Sequence, residues 1–375
     1  MIKILHVINT LAPAGAQTLL INFAVNFKDP NYQIYIAYIY GHGELLKEYQ
    51  LGNNIKIFDL TRNGKFDYFS LFKLTAIIKT EKIDIVHTHL LQAGILGKIA
   101  SKICGVQHIV STRHYGFDPN ENRLLHQIEN RLTKSASVVI AISDAVREYL
   151  ILKKIISEEK IVVIQNGFDL KNLELTKSGQ IKKNNNKKCI IGSVGRLVPQ
   201  KDFVTLLDCL ILVAREFPNI KLEIIGDGML RYELENYVAR LNLTKNVEFS
   251  GLLPHHMALK RMNEWRLFIL SSAWEGFGIA MIEAMALEKA VVATRVEGIT
   301  EVVDDGITGY LVPAKSAADL AERVIELLGN DAKRINMGKR GREKVINQFS
   351  IEKFNERTKV VYESLIKKHK LPNLN

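Results

Sequence analysis

Short runs rich in Ile, Val and Leu recur through the first half of the chain. They fall near Ile4–Ile8, Gln33–Ile39, Ile55–Leu60, Asp84–Thr88, His108–Thr112, Ser137–Ile142 and Ile161–Gln165. Each has the length and composition of a buried strand, and helical patterns separate most of them. A polar stretch follows at 177–188, poor in large apolar residues, and reads as a surface linker. Strands then resume at Cys189–Val194, Ile220–Ile225, Val247–Gly251, Leu267–Ser271, Ala290–Ala293 and Gly309–Val312. Strands alternating with helices predict parallel sheets, here two of them joined by a linker. In such sheets ligands bind beyond the C-terminal strand ends, so a cleft between two domains is the expected site.

Composition agrees with that layout. A chain of 375 residues suits two domains, and 47% hydrophobic with 24% charged residues is ordinary for a globular protein. Cys104, Cys189 and Cys209 are scattered, which speaks against a disulfide framework or a zinc cluster and for a reducing compartment. The N-terminus enters a strand at once and no apolar run approaches a membrane span, so a cytoplasmic location is expected. A net charge of +11 favours anionic partners. No recognition-helix, RRM or zinc-finger pattern accompanies it, which leaves phosphorylated small molecules and anionic membrane surfaces rather than nucleic acid.

The most informative segment is Trp274–Ala286. It follows the apolar run Leu267–Leu270, turns on Gly276 and Gly278, and enters an Ala/Met-rich helix near Ile279. Unpaired N–H groups and the positive end of the helix dipole make such a turn an anion site. Glu275 and Glu283 lie in the same segment, and two carboxylates would repel a simple anion. A ligand with phosphates for the amides and hydroxyls for the carboxylates suits both, and a sugar nucleotide is such a ligand. Other strand ends add to this. Thr10–Gln17 is a small-residue loop that opens a helix, and Arg196 and Lys201 pair a planar fork with a point charge after the strand Cys189–Val194. In the tight turn Gly226-Asp227-Gly228 the carboxylate reads as a local turn or cap group.

Taken in order, these residues closely resemble a retaining GT-B glycosyltransferase of family 4. The resemblance rests on Arg196 with Lys201, Gly226-Asp227-Gly228, the Glu275-x7-Glu283 pair and Gly306–Val312. Gly15-Ala16-Gln17, Asp84–His89, Ser111–His114 and Ile164–Asp169 extend it over nearly the whole chain. It implies an acceptor domain over about 1–175 and a donor domain over about 189–350, each Rossmann-like, with the helix Ile351–Lys368 returning to the first domain. It further implies that Arg196 and Lys201 hold the diphosphate and that Glu283 accepts from the ribose hydroxyls. Glu275 would contact the donor sugar, and amides of Phe277, Gly278 and Ile279 would hold sugar or phosphate. Gly15 would add an amide near the phosphate, and His114 corresponds to the histidine near the transferred sugar. Gly226 and the loop around Leu252, which faces the base, complete the donor set. Ala14 stands where the family usually has a second glycine, and Glu297-Gly298 where it usually has Gly-Gly.

The implied chemistry is metal-independent. A nucleoside diphosphate leaves readily once its charge is neutralised, and fixed cations with helix-end amides can do that. The chain has no Asp-x-Asp motif. A glycosidase built on Glu275 and Glu283 is the sharpest rival, but eight residues of helix separate carboxyls by about 12 Å, beyond that mechanism's spacing. A nucleotide-sugar epimerase of GT-B architecture and a non-catalytic sugar-nucleotide-binding protein also compete with the transferase reading. His87 and His89 share a strand face, yet no third ligand at a sensible spacing accompanies them, so no metal site is expected. One of them should line the cleft and the other be hydrogen-bonded in the packing. The expected donor is a UDP-hexose or UDP-N-acetylhexosamine. The expected acceptor is a saccharide or a lipid-linked oligosaccharide of cell-surface polysaccharide synthesis, and the expected state is a monomer. An amphipathic helix is expected over 65–79, with Leu71, Leu74, Ile77 and Ile78 on the sheet; ordinary cover for that sheet and peripheral contact with an anionic membrane are its two readings. Phe66, Phe69, Lys65, Lys73 and Lys79 would then turn toward anionic headgroups.

Overall fold

The structure is a computed structural model that describes residues 1–49, 51–52, 54–62, 69–115, 122–173, 189–367, 369 and 371–372. The chain forms two compact units, Met1–Gly167 together with Ile351–Asn375, and Phe168–Ser350. The expected linker 177–188 lies outside the described residues.

Unit 1 runs β1 (Ile2–Thr10), α1 (Gly15–Asn26), β2 (Tyr32–Tyr40), β3 (Ile55–Asp59), α2 (Ser70–Glu81), β4 (Ile85–His89) and α3 (Leu91–Cys104). It continues through β5 (His108–Arg113), α4 (Arg123–Thr133), β6 (Val138–Ala141), α5 (Asp144–Leu152) and β7 (Ile161–Val163). Unit 2 runs β8 (Ile190–Val194), α6 (Phe203–Glu216), β9 (Lys221–Ile225), α7 (Arg231–Arg240), β10 (Val247–Gly251), α8 (His255–Glu264) and β11 (Leu267–Leu270). It closes with α9 (Ile279–Ala286), β12 (Ala290–Thr294), α10 (Ile299–Val302), β13 (Gly309–Val312), α11 (Ala317–Gly329) and α12 (Asp331–Gln348). The last helix, α13 (Ile351–Ile366), belongs to unit 1.

The seven and six expected strands form two all-parallel sheets, ordered β3-β2-β1-β4-β5-β6-β7 and β10-β9-β8-β11-β12-β13. Helices cover both faces, so the strands are apolar nearly throughout rather than alternating. In β1, Ile4 and Ile8 pack with Phe23 of α1 and Val361 and Tyr362 of α13. Leu5 and Val7 face the other way, with Leu74 and Ile78 of α2 and Ala93 and Ala100 of α3. Unit 2 repeats the scheme, setting Ile191, Leu222 and Ile269 against Leu206 and Leu210 of α6 and Val324 of α11. Local signals fix the ends of several helices. Ser143 caps α5 by accepting from Val146 N–H, and Asp202 caps α6 by accepting from Thr205 N–H. Asn122 caps α4 in the same way.

Strand order reverses beside the first strand of each unit, between β1 and β4 and between β8 and β11. At such a point the loops leaving neighbouring strands diverge and open a crevice, the usual ligand position in a parallel sheet. The loops singled out in the sequence leave those strands.

Candidate active site

In unit 2 the loops after β8 and β11 meet. Lys201 Nζ forms an ion pair with Glu275 Oε2, and both side chains are largely shielded from solvent. Ser272 Oγ also donates to Glu275 Oε2 at 3.4 Å, and the Gly276 N–H donates to Oε1 at 3.3 Å. Two further bonds tie the loops together: Ser271 Oγ to the Lys201 carbonyl at 2.9 Å, and Ala273 N–H to the Gln200 carbonyl at 2.8 Å. Arg196 lies five residues before Lys201, is exposed, and forms no ion pair among the described residues. Its charge is therefore open to a ligand.

The turn after β9 buttresses that loop. Gly195 N–H donates to the Ile225 carbonyl at 3.0 Å, and Leu197 N–H to the Asp227 carbonyl at 3.0 Å. Gly226 has φ of +135°, and a Cβ there would sit 2.0 Å from the Gly195 carbonyl oxygen. Only glycine allows this approach. Asp227 Oδ1 accepts from Gly228 N–H at 2.7 Å, a local turn bond as the sequence suggested.

Helix α9 starts at Ile279 with Gly278 left-handed before it, no side-chain cap and no acidic residue in its first turn. That N-terminus keeps its donors and dipole for a ligand. Phe277 is buried, edge-on to Phe349 at 5.6 Å, which anchors the turn. Glu283 is buried one turn into the helix, and its Oε1 meets His255 Nε2 at 2.8 Å. His255 is a residue that sequence reasoning missed. It opens α8 directly after the loop Gly251–Pro254, in which Leu252 is 72% exposed. Unit 2 thus carries Arg196, Lys201, Gly226, Leu252, Glu275, Phe277, Gly278, Ile279 and Glu283. Gly15 and His114 lie in unit 1.

Gly15 opens α1, exposed and without a side-chain cap. The same unit holds a cluster of imidazoles. His6 of β1 is in register with His87 of β4, and His6 Nδ1 lies 3.0 Å from His89 Nε2. His87 engages both nitrogens, Nδ1 on the Tyr362 hydroxyl at 2.6 Å and Nε2 on Thr112 Oγ1 at 2.7 Å. His114 continues the column, its ring centroid 5.8 Å from that of His89. Burial holds all four rings neutral, His6 with its pKa pushed down to about 3, His114 to about 4, and His87 and His89 well below the usual value.

The expectation that His87 and His89 lack a third partner is corrected here. His6 supplies it, and each of the three rings offers a nitrogen within 4.8 Å of the others. Parallel pairing of β1 with β4 brings together residues 81 positions apart. The interplanar angles are 16° for His6 with His89, 30° for His87 with His89 and 38° for His6 with His87. Both His87 and His89 are buried.

A second correction concerns α2. Leu74 and Ile78 are buried, with Leu71 and Ile77 half-buried beside them, on the expected face. Lys73, however, donates to the Leu60 and Thr61 carbonyls at 3.4 and 3.2 Å, so it closes the end of β3 instead of facing outward. Lys65 and Phe66 lie outside the described residues. Among the described residues no helix is long and apolar enough to cross a membrane.

Comparison with known proteins accounts for this arrangement. Residues 176–344 match the family model for glycosyl transferases group 1, and residues 13–172 match that for glycosyltransferase family 4. An uncharacterized glycosyltransferase of Methanocaldococcus jannaschii, MJ1178, is 30% identical over 77% of this chain and 78% of its own. The UDP-Gal:alpha-D-GlcNAc-diphosphoundecaprenol alpha-1,3-galactosyltransferase of Escherichia coli is 28% identical over 90% of this chain and 91% of its own. Among solved structures, Anabaena Alr3699/HepE in complex with UDP and glucose superposes with a TM-score of 0.83 at 23% identity, covering 97% of this chain and all of that one. Two parallel-sheet units, the matched families and these relatives agree, and the chain belongs to the group 1 glycosyl transferases of GT-B fold.

Proposed function

We propose that this enzyme is a retaining, metal-independent glycosyltransferase that moves a hexose or N-acetylhexosamine from a UDP-sugar to a saccharide or lipid-linked acceptor in cell-surface polysaccharide synthesis. The observation that carries the reading is the Lys201–Glu275 pair at the strand-order reversal of unit 2, with the exposed Arg196, in no ion pair among the described residues, on the same loop as Lys201 and the uncapped α9 following the loop of Glu275. Cations and helix-end amides gathered at one point suit a departing diphosphate. Glu275 and Glu283 suit hydroxyls of sugar and ribose, while amides of Phe277, Gly278 and Ile279 attend the sugar and phosphate. On the resemblance, Gly15 adds an amide to the phosphate, His114 orients the sugar, and Gly226 with the Leu252 loop shapes the nucleotide end.

The bond from sugar C1 to the phosphate oxygen breaks as C1 bonds the acceptor oxygen on the same face. The leaving phosphate takes the acceptor proton. His114 is held neutral by burial and serves as an orienting group, not as the base. The metal-free reading is supported at the imidazole cluster by His87, both of whose nitrogens are engaged, by the Tyr362 hydroxyl and by Thr112 Oγ1. A glycosidase reading is disfavoured because each carboxylate has its own partner, Lys201 for Glu275 and His255 for Glu283.

Two relatives support this donor and acceptor: the Escherichia coli enzyme named for UDP-Gal and alpha-D-GlcNAc-diphosphoundecaprenol, and CapM of Staphylococcus aureus, named for capsular polysaccharide biosynthesis. Peripheral contact with an anionic membrane, from a cytoplasmic position, goes with a lipid-linked acceptor. Phe69 and Phe72, 61% and 68% exposed at the start of α2 with ring centroids 6.2 Å apart, are the proposed contact. UDP release from a panel of UDP-sugars, with and without a polyprenyl-diphosphate sugar, tests the transfer. Release that rises several-fold with acceptor and survives EDTA is expected. Loss of activity in EDTA that divalent metal restores overturns metal independence, and no release from any nucleotide sugar overturns the transfer itself.

A further inference from the structure

Among the described residues, the most deeply buried charges belong to unit 1. Lys98 of α3 is 0% exposed, and its Nζ donates to Oε1 of Glu129 on α4 at 2.5 Å; Glu129 is 1% exposed. Arg113, the last residue of β5, reaches the same oxygen with Nη1 at 3.7 Å and donates from Nη2 to Asn130 Oδ1. Two cations share one carboxylate oxygen, and that carboxylate's other oxygen is left over. A buried ion cluster is costly unless its remaining donors and acceptors are met. Here three buried atoms lack a partner among the described residues: Arg113 Nε, Glu129 Oε2 and His114 Nε2.

Those three residues line one cavity of about 10 Å³, which Leu90, Leu91 and His126 help to close. That is room for a single water-sized oxygen. A guanidinium nitrogen only donates and a carboxylate only accepts. The group that satisfies both at one point is a hydroxyl, which accepts from Arg113 and gives its proton to Glu129. An ether, a carbonyl or an ammonium fails on one side. His114 and Tyr115 are only half-buried, so one wall of the cavity is within reach of a ligand.

We propose that Arg113 and Glu129, with His114 beside them, form a subsite that reads one hydroxyl of the sugar His114 faces, and that Lys98 is a positioning residue. This rests on the glycosyl-transfer reading and deepens it. Arg113 Nε–H donates to the hydroxyl oxygen, and Glu129 Oε2 accepts its proton. Lys98 occupies Oε1, which fixes the carboxylate so that Oε2 faces the cavity. Burial lowers the Lys98 pKa and Glu129 opposes that shift, which ties the pair together as a unit. A lone water could supply the same chemistry, and the experiment separates the two sources.

The full-length enzyme is assayed with whichever UDP-sugar it accepts and with that donor's deoxy analogues, one hydroxyl removed at a time. Arg113→Lys keeps the charge and strips the Nε–H. Lys98→Met/Glu129→Leu replaces the buried pair with apolar side chains of similar volume, an exchange that is often neutral for stability. One deoxy position should lower wild-type kcat/KM about 10- to 100-fold, the range for a hydrogen bond to a charged group. The same analogue should cost either variant less than about two-fold, while UDP affinity stays at the wild-type value. Equal analogue penalties in variant and wild type mean that only water sits in the cavity, and this overturns the subsite while leaving the transfer reading intact. If no nucleotide sugar binds at all, both readings fall.

Discussion

Unit 1 and unit 2 share one topology and fill its reversal point with opposite chemistry. In unit 2 the loops after β8 and β11 carry a partly shielded Lys–Glu pair, an exposed arginine and an uncapped helix. In unit 1 the strands β1 and β4 carry three buried imidazoles, continued by His114 after β5, and burial keeps all four neutral. The first arrangement can take a polyanion with little rearrangement, since solvent still reaches its charges. In the second, burial disfavours the imidazolium form, so the rings order their surroundings through neutral hydrogen bonds. A strand-order reversal therefore supplies a place for a ligand, and burial decides whether ionic or neutral chemistry operates there.

Acid breaks this comparison most strongly. A buried imidazole with a depressed pKa stays neutral in the fold while its unfolded counterpart takes a proton below about pH 6.5. The unfolded state then binds more protons, so stability falls as pH drops from about 6.5 toward the folded value. For His6, with its pKa pushed down to about 3 by burial, that loss continues through the whole of this window. Thermal unfolding between pH 7.5 and 4.5 should show unit 1 losing stability steeply, and His6→Gln should flatten that slope. A transition temperature independent of pH over this range would mean the column is hydrated.

The cations of unit 2 come next. Arg196→Ala and Lys201→Ala should each remove a contact worth roughly 1.5–3 kcal/mol in the transition state, or about 10- to 150-fold in kcat/KM. The structure sharpens this expectation. Lys201→Ala also strands Glu275 and should lower the melting temperature, whereas Arg196→Ala touches no described ion pair and should not. Near-normal kcat/KM in both variants would remove the diphosphate assignment.

A smaller effect separates the two acids. Glu283→Gln should weaken UDP binding about ten-fold, since a neutral amide is a poorer acceptor for ribose hydroxyls and the His255 contact weakens with it. Glu275→Gln should leave UDP affinity near normal and lower kcat. Isothermal titration with UDP alone, set beside turnover, reads the split. The reverse pattern would exchange the two roles.

The two regions also differ in how far the sequence exposes them. Arg196, Lys201 and Glu275 lie in loops that leave strands marked plainly by apolar runs, and two glycines flag the turn before α9, which carries Glu283. His255 lies one residue past a loop that the sequence already marks, but its contact is made to a helix 28 positions away. Unit 1 hides more. His6 reads as one polar residue in an apolar strand until β1 is paired with β4. Lys98 and Glu129 look like ordinary surface charges on two helices until α3 and α4 are seen to bury them against each other. Long-range pairing decides such residues, and periodicity along the chain carries no record of it.

Membrane contact is the smallest effect and falls to unit 1. The sequence points to lysines of 65–79, but Lys73 is bound to backbone carbonyls at the end of β3, so Lys73→Glu should cost stability more than vesicle affinity. What the first turn of α2 does present is an aromatic pair, Phe69 and Phe72. Aromatic rings at a membrane interface bind by burying apolar area, while the net charge of +11 adds a salt-sensitive attraction to anionic lipid. Phe69→Ser/Phe72→Ser should reduce flotation with phosphatidylglycerol vesicles several-fold at about 0.1 M salt, where screening is still moderate, and leave UDP affinity unchanged. Higher salt should weaken binding of the wild type, and neutral vesicles should hold little of it. Equal flotation of wild type and double variant would move the contact elsewhere on the unit. Absence of flotation on any vesicle at low salt would show that the enzyme reaches its acceptor without docking to the membrane.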